Sequence, residues 1–265
     1  MSADQDSQKL QKYLAIIDQK TGQVLLLSLA ITYLCLEYGF GFNLNVTLFS
    51  IAVIFPLVFT MRQAFRKRDS VIRLLSTFKS SLNATYFSFA SNGKLTEEEI
   101  AFVGSNLNSV SKMFFDVLKG GELKQQQVRE KLNEVFDFMN SKRDVISTGT
   151  ALKIIRFLKD VDGSFENTVG LKIHGTPISL RAYCLVFIYI FPFIFAPTLV
   201  YDLGDSPQWV VYILSALHGF ILISLYNVQD DMEDPFDQVG LDDIKLEEFH
   251  FDKNNKLFDT SATAP

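Results

Sequence analysis

The chain has 265 residues, of which 48% are hydrophobic, and a formal net charge of −5. That average is only slightly high for a soluble protein and excludes little, whereas the placement of charge excludes more. Both cysteines, Cys35 and Cys184, fall inside apolar stretches, which leaves no disulfide framework and no paired-cysteine zinc site.

No Asp, Glu, Lys or Arg occurs between Glu37 and Arg62, between Arg181 and Asp202, or between Asp205 and Asp230. Crossing the hydrocarbon takes about 20 apolar residues, and each gap is long enough. A fourth gap, Lys20 to Glu37, is shorter, and Tyr38, Phe40 and Phe42 extend it toward an interface. A soluble helix of such length would carry a charged stripe, and these carry none. The expected class is therefore all-α: an integral membrane protein with four transmembrane helices in two hairpins around a cytoplasmic helical region.

The opening residues, MSADQDSQKLQKY, lack a basic segment feeding a short apolar core, so neither a secretory signal nor a transit peptide is expected. Residues 1–21 form an N-terminal cytoplasmic segment in this reading. The first hairpin covers 22–61, and GFGFNLN supplies its turn with glycines and asparagines. Arg62, Arg66, Lys67 and Arg68 follow at once, while Lys12 and Lys20 precede it. The positive-inside bias then puts both ends of the hairpin in the cytoplasm.

Residues 62–181 read as the helical region. Thr96 and Glu99 make a capping-box pattern, followed by Ile100, Val103, Leu107, Val110, Phe114 and Leu118 at helical spacing. Gly120-Gly121 ends that helix, and Val128, Leu132, Val135, Phe136 and Met139 mark the next. The second hairpin covers 182–227 and turns through YDLGDSP. Its turn carries two acids and no base, so both termini are expected to be cytoplasmic. The tail, 228–265, begins with the acidic run QDDMEDPFDQVGLDDIKLEEF, and its end, DKNNKLFDTSATAP, is polar and expected to be disordered.

Enzyme signatures fail: there is no Gly-rich phosphate loop, nucleophile elbow or His-Glu-x-x-His. No catalytic residue is expected. Of the three histidines, His218 falls in a membrane helix, where a polar side chain is either functional or hydrogen-bonded between packed helices. Ile51, Phe55 and Phe59 recur at i, i+4 and i+8 and form one apolar line. Such a line suits helix packing or lipid contact, and equally a constriction that gates ions by dewetting. Phenylalanine adds an electropositive ring edge that tolerates an anion. Periodicity alone does not choose between them. The carboxylates of the tail are oxygen ligands of the type calcium takes, although their spacing is not that of an EF-hand.

Three segments together resemble the bestrophin family of anion channels. EDPFDQVGLDDIKLEEF, directly after the last apolar stretch, is similar to the family's acidic Pro-Phe motif through Glu233, Asp234, Pro235 and Phe236. Asp242, Asp243 and Ile244 extend the match if one extra residue is allowed. HGTPISLRAYCLVFIYIFPFIF resembles the family's Thr-Pro-Ile-Pro segment through Thr176, Pro177, Ile178, Tyr183, Pro192 and Phe193, with Ser179 in place of the second proline. IAVIFPLVFTMRQAFRKRD resembles the exit of the first hairpin and places Ile51, Phe55 and Phe59 on the three neck positions. There the chain departs from the family: Lys67, Arg68, Asp69 and Ser70 stand where an Arg-Trp-Trp-Glu run is usual, and Thr60 replaces an arginine of bacterial members.

The resemblance implies a homopentamer with one central pore, conducting chloride or other small anions through a neck formed by the second helix. It requires no cofactor. By likeness to the family's clasp, Asp234, Asp242 and Asp243 are candidate calcium ligands. The implied partners are small anions, the lipid membrane and further copies of the chain, without nucleic acid. A plasma membrane or bacterial inner membrane is the expected location. The rival expectation is a non-conducting, membrane-anchored scaffold of the same fold.

Overall fold

The computed structural model describes residues 17–122, 125–175, 177–203, 205–237 and 243–253. Among them it is helical throughout, with no strand: α1 (Gln19–Glu37), α2 (Val46–Ala90), α3 (Glu97–Leu118), α4 (Gln125–Ser141), α5 (Thr148–Ile173), α6 (Ile178–Asp202), α7 (Gln208–Asp231) and a 3-10 turn, Leu246–Phe249. The chain divides into two compact units. One comprises Met1–Lys67, Gly175–Pro235 and Val239–Asp243; the other comprises Arg68–His174, Phe236–Gln238 and Ile244–Pro265.

In the first unit α1, α6 and α7 pack on one another. Asp18 caps α1 in a reciprocal box with Thr21. Val24, Val53, Leu57, Cys184, Ile188, Phe191, Leu222, Ile223 and Tyr226 form one buried cluster, so the first turns of α2 belong to this unit's core. Small and polar side chains let α1 and α7 approach closely. A methyl group on Gly219 would lie 2.7 Å from Ser28 Oγ. Thr32 Oγ1 sits 2.8 Å from Ser215 Oγ, and Asn227 Nδ2 donates to Thr21 Oγ1 at 3.0 Å. Between apolar helices in lipid, such close small-residue packing replaces the hydrophobic drive that water would supply. Gly39, at φ 60°, makes the turn after α1.

In the second unit the expected helix signals are met atom by atom. Thr96 N–H donates to Glu99 Oε2 at 2.8 Å, and Glu99 N–H donates to Thr96 Oγ1 at 3.3 Å. Val103, Leu107, Val110, Phe114 and Leu118 are buried, with Ile100 packed against them. Gly120, at φ 94°, ends α3, and a methyl on Gly121 would meet the Asp116 carbonyl oxygen at 2.7 Å. Val128, Leu132, Val135 and Met139 of α4 are buried, whereas Phe136 is exposed.

The acidic tail does more than its charge suggests. Phe236, Ile244 and Leu246 are buried in the core of the second unit. Lys172 lies 5.7 Å from the Phe236 ring centroid and donates to the last carbonyls of α3, Val117 and Leu118. A cation at a helix C-terminus is favourable, because the unpaired carbonyls there carry partial negative charge. Further on, Phe251 N–H donates to Ser111 Oγ at 3.0 Å, and the His250 ring packs 4.1 Å from Phe115. The end of the chain beyond 253, expected to be disordered, lies outside the described residues.

Candidate functional site

The helix carrying the predicted neck, α2, has two contrasting faces over its first five turns. Val53, Leu57, Thr60 and Ala64 are buried. The line expected from the sequence points the other way: Ile51 is 54% exposed, Phe55 61% and Phe59 47%. Phe55 and Phe59 touch edge to face, with ring centroids 5.0 Å apart, so they form one continuous aromatic ridge. Leu48, Ile54 and Val58 are exposed as well, which makes the open apolar surface wider than the line itself. Pro56 lies inside the helix and removes one backbone donor, while Thr60 Oγ1 donates to the Leu57 carbonyl at 2.8 Å.

The helix does not stop at the basic cluster, where the sequence reading ends the first hairpin. It runs on to Ala90, because Arg62–Ala90 contains no glycine or proline and keeps its apolar positions at helical spacing. Lys67 turns from the neck line and pairs with Glu233: Nζ is 3.2 Å from Oε1 and donates to the Glu233 carbonyl oxygen at 2.6 Å. Both side chains are nearly buried, with 10% and 12% of their surface exposed. Gly175 completes this site. A methyl there would overlap Glu233 Oε1 and come within 3.3 Å of Lys67 Nζ.

The family-like residues therefore act structurally in different places. Glu233 holds Lys67, Phe236 fills a core, and Pro177 is the residue at which α6 begins. Thr176 lies outside the described residues. A second ion-pair site joins three helices: Asp230 accepts from Lys20 at 2.8 Å and from Arg181 at 3.1 Å. Neither site was visible in the sequence, since the partners of Lys67 and Lys20 are 166 and 210 residues away. Only the excess of acids just after α7 hinted at them.

Of the candidate calcium ligands, Asp234 and Asp243 are described and Asp242 is not. Among the described residues no three His, Cys, Asp or Glu side chains come together as a metal site. His218 stacks on Phe191 and Phe195, with ring centroids 4.8 and 4.3 Å away, and its buried Nε2 has no hydrogen-bond partner. The expected interhelical hydrogen bond is thus replaced by ring stacking.

Among the described residues, three stretches are long and apolar enough to cross a membrane: Val46–Ala90, Thr148–Asp202 and Gln208–Asp231. No family model and no curated protein sequence matches the chain. Solved structures do. A tryptophan-to-alanine variant of a bacterial bestrophin homologue from Klebsiella pneumoniae superposes with a TM-score of 0.73 at 16% identity, covering 87% of this chain and 92% of that one. A leucine-to-threonine variant gives 0.72 at 17% identity, covering 87% and 95%. A tyrosine-to-alanine variant gives 0.71 at 16% identity, covering 85% and 93%. With its three apolar stretches and this likeness over nearly its whole length, the chain is a membrane protein with the bestrophin fold.

Proposed function

We propose that the protein is an anion channel, chloride-type in selectivity, assembled as a homopentamer in which α2 of each subunit lines a hydrophobic neck with Ile51, Phe55 and Phe59. One observation carries the reading. In a protein of this fold, α2 is buried on one face by its own chain, yet presents an open ridge of bulky apolar side chains on another. In a homopentamer that open ridge faces the central axis, where copies of the same side chains close on one passage.

A ring of such helices encloses a narrow, poorly wetted passage. A large, weakly hydrated anion gives up less solvation on entering than a small cation does. The electropositive edges of Phe55 and Phe59 favour it further, because aromatic quadrupoles are positive at the rim. In this assembly α1 serves as the fourth span: its 19 residues reach about 28 Å, close to the hydrocarbon thickness. Both termini then face the cytoplasm, in a plasma membrane or bacterial inner membrane. Calcium at Asp234, Asp242 and Asp243 is a possible addition to the channel, not a requirement.

The test is halide efflux from liposomes containing the purified protein, against a potassium control, with calcium or chelator. Chloride or bromide efflux above empty vesicles with little potassium leak is the expected result. Replacing Phe55 and Phe59 together with alanine should widen the neck and raise basal flux several-fold, and Ile51→Ala alone should do less. Unchanged flux in the double variant would mean that these rings pack and do not gate. A monomer in mild detergent, or silence in every condition, would favour a membrane-anchored scaffold.

A further inference from the structure

The line that carries the neck does not end at Phe59. From Phe55, Arg62 stands at i+7 and Arg66 at i+11, and both steps return to within about 20° of the same face of α2. Both arginines are exposed. Their neighbours in the basic cluster are occupied: Lys67 is bound to Glu233, and Arg68 is engaged as well. Neither Arg62 nor Arg66 has an ion-pair partner among the described residues, and no carboxylate interrupts the helix from Phe59 to Arg68. A purely topological signal would need basic residues near the end of the span but no particular face. Here the bases turned off the line are held, and those on it are left open.

We propose that Arg62 and Arg66 form a guanidinium-lined mouth at one end of the neck, which binds and concentrates small inorganic anions of the halide class before they enter. The proposal rests on the pentameric-channel reading, since only several copies bring these side chains around one axis. Along α2, Arg62 lies about 4.5 Å beyond Phe59 and Arg66 about 10.5 Å beyond it. Both distances are comparable with the Debye length of about 10 Å at 0.1 M salt, so their field reaches the entrance of the neck. A dry apolar constriction selects by solvation cost but offers no counter-charge. The mouth supplies it, and a cleft lined by one sign of charge raises the local concentration of the opposite ion.

Salt dependence tests the mouth. The Arg62→Gln/Arg66→Gln protein and its parent would be reconstituted, with assembly checked by size exclusion, and halide flux measured at about 10 mM and about 1 M salt. The Debye length falls from roughly 30 Å to roughly 3 Å between these conditions. At low salt the double variant should conduct about three- to tenfold less than the parent. At high salt the two should agree within about twofold, and Arg62→Lys/Arg66→Lys should stay near the parent throughout. A conducting parent with a double variant unchanged at low salt, or reduced equally at both salts, overturns the mouth and leaves the channel reading standing. A parent without anion flux overturns the channel reading, and the mouth falls with it. If the double variant fails to assemble, Arg62→Cys labelled after assembly decides: a cationic thiol reagent should restore low-salt flux, and a neutral one should not.

Discussion

Replacing Lys67 with methionine would leave the Glu233 carboxylate nearly buried without its cation. The substitution removes an ion pair at 3.2 Å and a donor 2.6 Å from the Glu233 carbonyl oxygen, where only 10–12% of either side chain meets solvent. Solvent screening is therefore slight, and stranding one partner of a buried pair costs about 3–5 kcal/mol. For a protein of this size, each kcal/mol shifts the melting point by roughly 2–4 °C, so a fall on the order of 10 °C is expected. The assay is built into the same unit: Cys35 and Cys184 are free and buried there, and a thiol-reactive dye signals their exposure as the protein is heated in detergent. The double variant Lys67→Met/Glu233→Met removes both charges and leaves mainly one carbonyl without its donor, a loss of about 1 kcal/mol. It should recover most of the fall. Gly175→Ala should lower the melting point without altering either charge, because its methyl would overlap Glu233 Oε1, which the pair with Lys67 holds in place. A Lys67→Met protein melting within about 2 °C of the parent, or a double variant no better than the single one, would refute the reasoning.

Two further outcomes follow from the packing and the titrating groups. Gly219→Ala should destabilise the α1–α7 contact by about 1–3 kcal/mol, because the added methyl meets Ser28 Oγ at 2.7 Å, and Ser28→Gly in the same chain should restore the melting point. In the second unit, burial holds the His250 imidazole below its usual range; Lys119 and Lys112 act in the same direction, while Glu247 and Asp116 oppose it. Its neutral form is the one that suits the folded state, so the unfolded chain takes up the proton more readily and stability falls as pH drops below about 6.5. Glu99, held below the usual carboxylate range mainly by Lys142 and then by the Thr96 backbone, adds a second loss as pH falls below about 4.5. Hydrogen-exchange protection of α3, compared at pH 7.5 and 5.5 after correction for intrinsic rates, should drop less in His250→Phe than in the parent; an identical drop would dismiss the assignment.

Much of this architecture was legible in the sequence, because its signals are local. The Thr96–Glu99 box and the Gly120-Gly121 stop rest on residues within one helical turn, and the charge-free gaps and the apolar positions of α3 and α4 each on one continuous stretch of chain. The Ile51–Phe55–Phe59 line is of the same kind: its existence follows from spacing alone. What spacing could not decide is which way the line points, since an apolar stripe serves core and pore alike. Val53, Leu57, Thr60 and Ala64 take the buried face, so the line lies outside the core of its own chain.

Other features depended on residues far apart in the chain. The acidic tail reads as a solvated run, yet Phe236, Ile244 and Leu246 fill a core, because three apolar side chains among many carboxylates are too sparse to set a period. Lys67 and Glu233 are unremarkable members of a basic and an acidic cluster until the fold places them 3.2 Å apart and excludes water from both. The sequence by itself determined where helices form and which of them suit a membrane, since both depend on neighbouring residues and on composition. Only the tertiary structure decided that Lys67 pairs with Glu233 and Lys20 with Asp230, and which face of α2 stays open, since these depend on contacts that the chain makes with itself across more than a hundred residues.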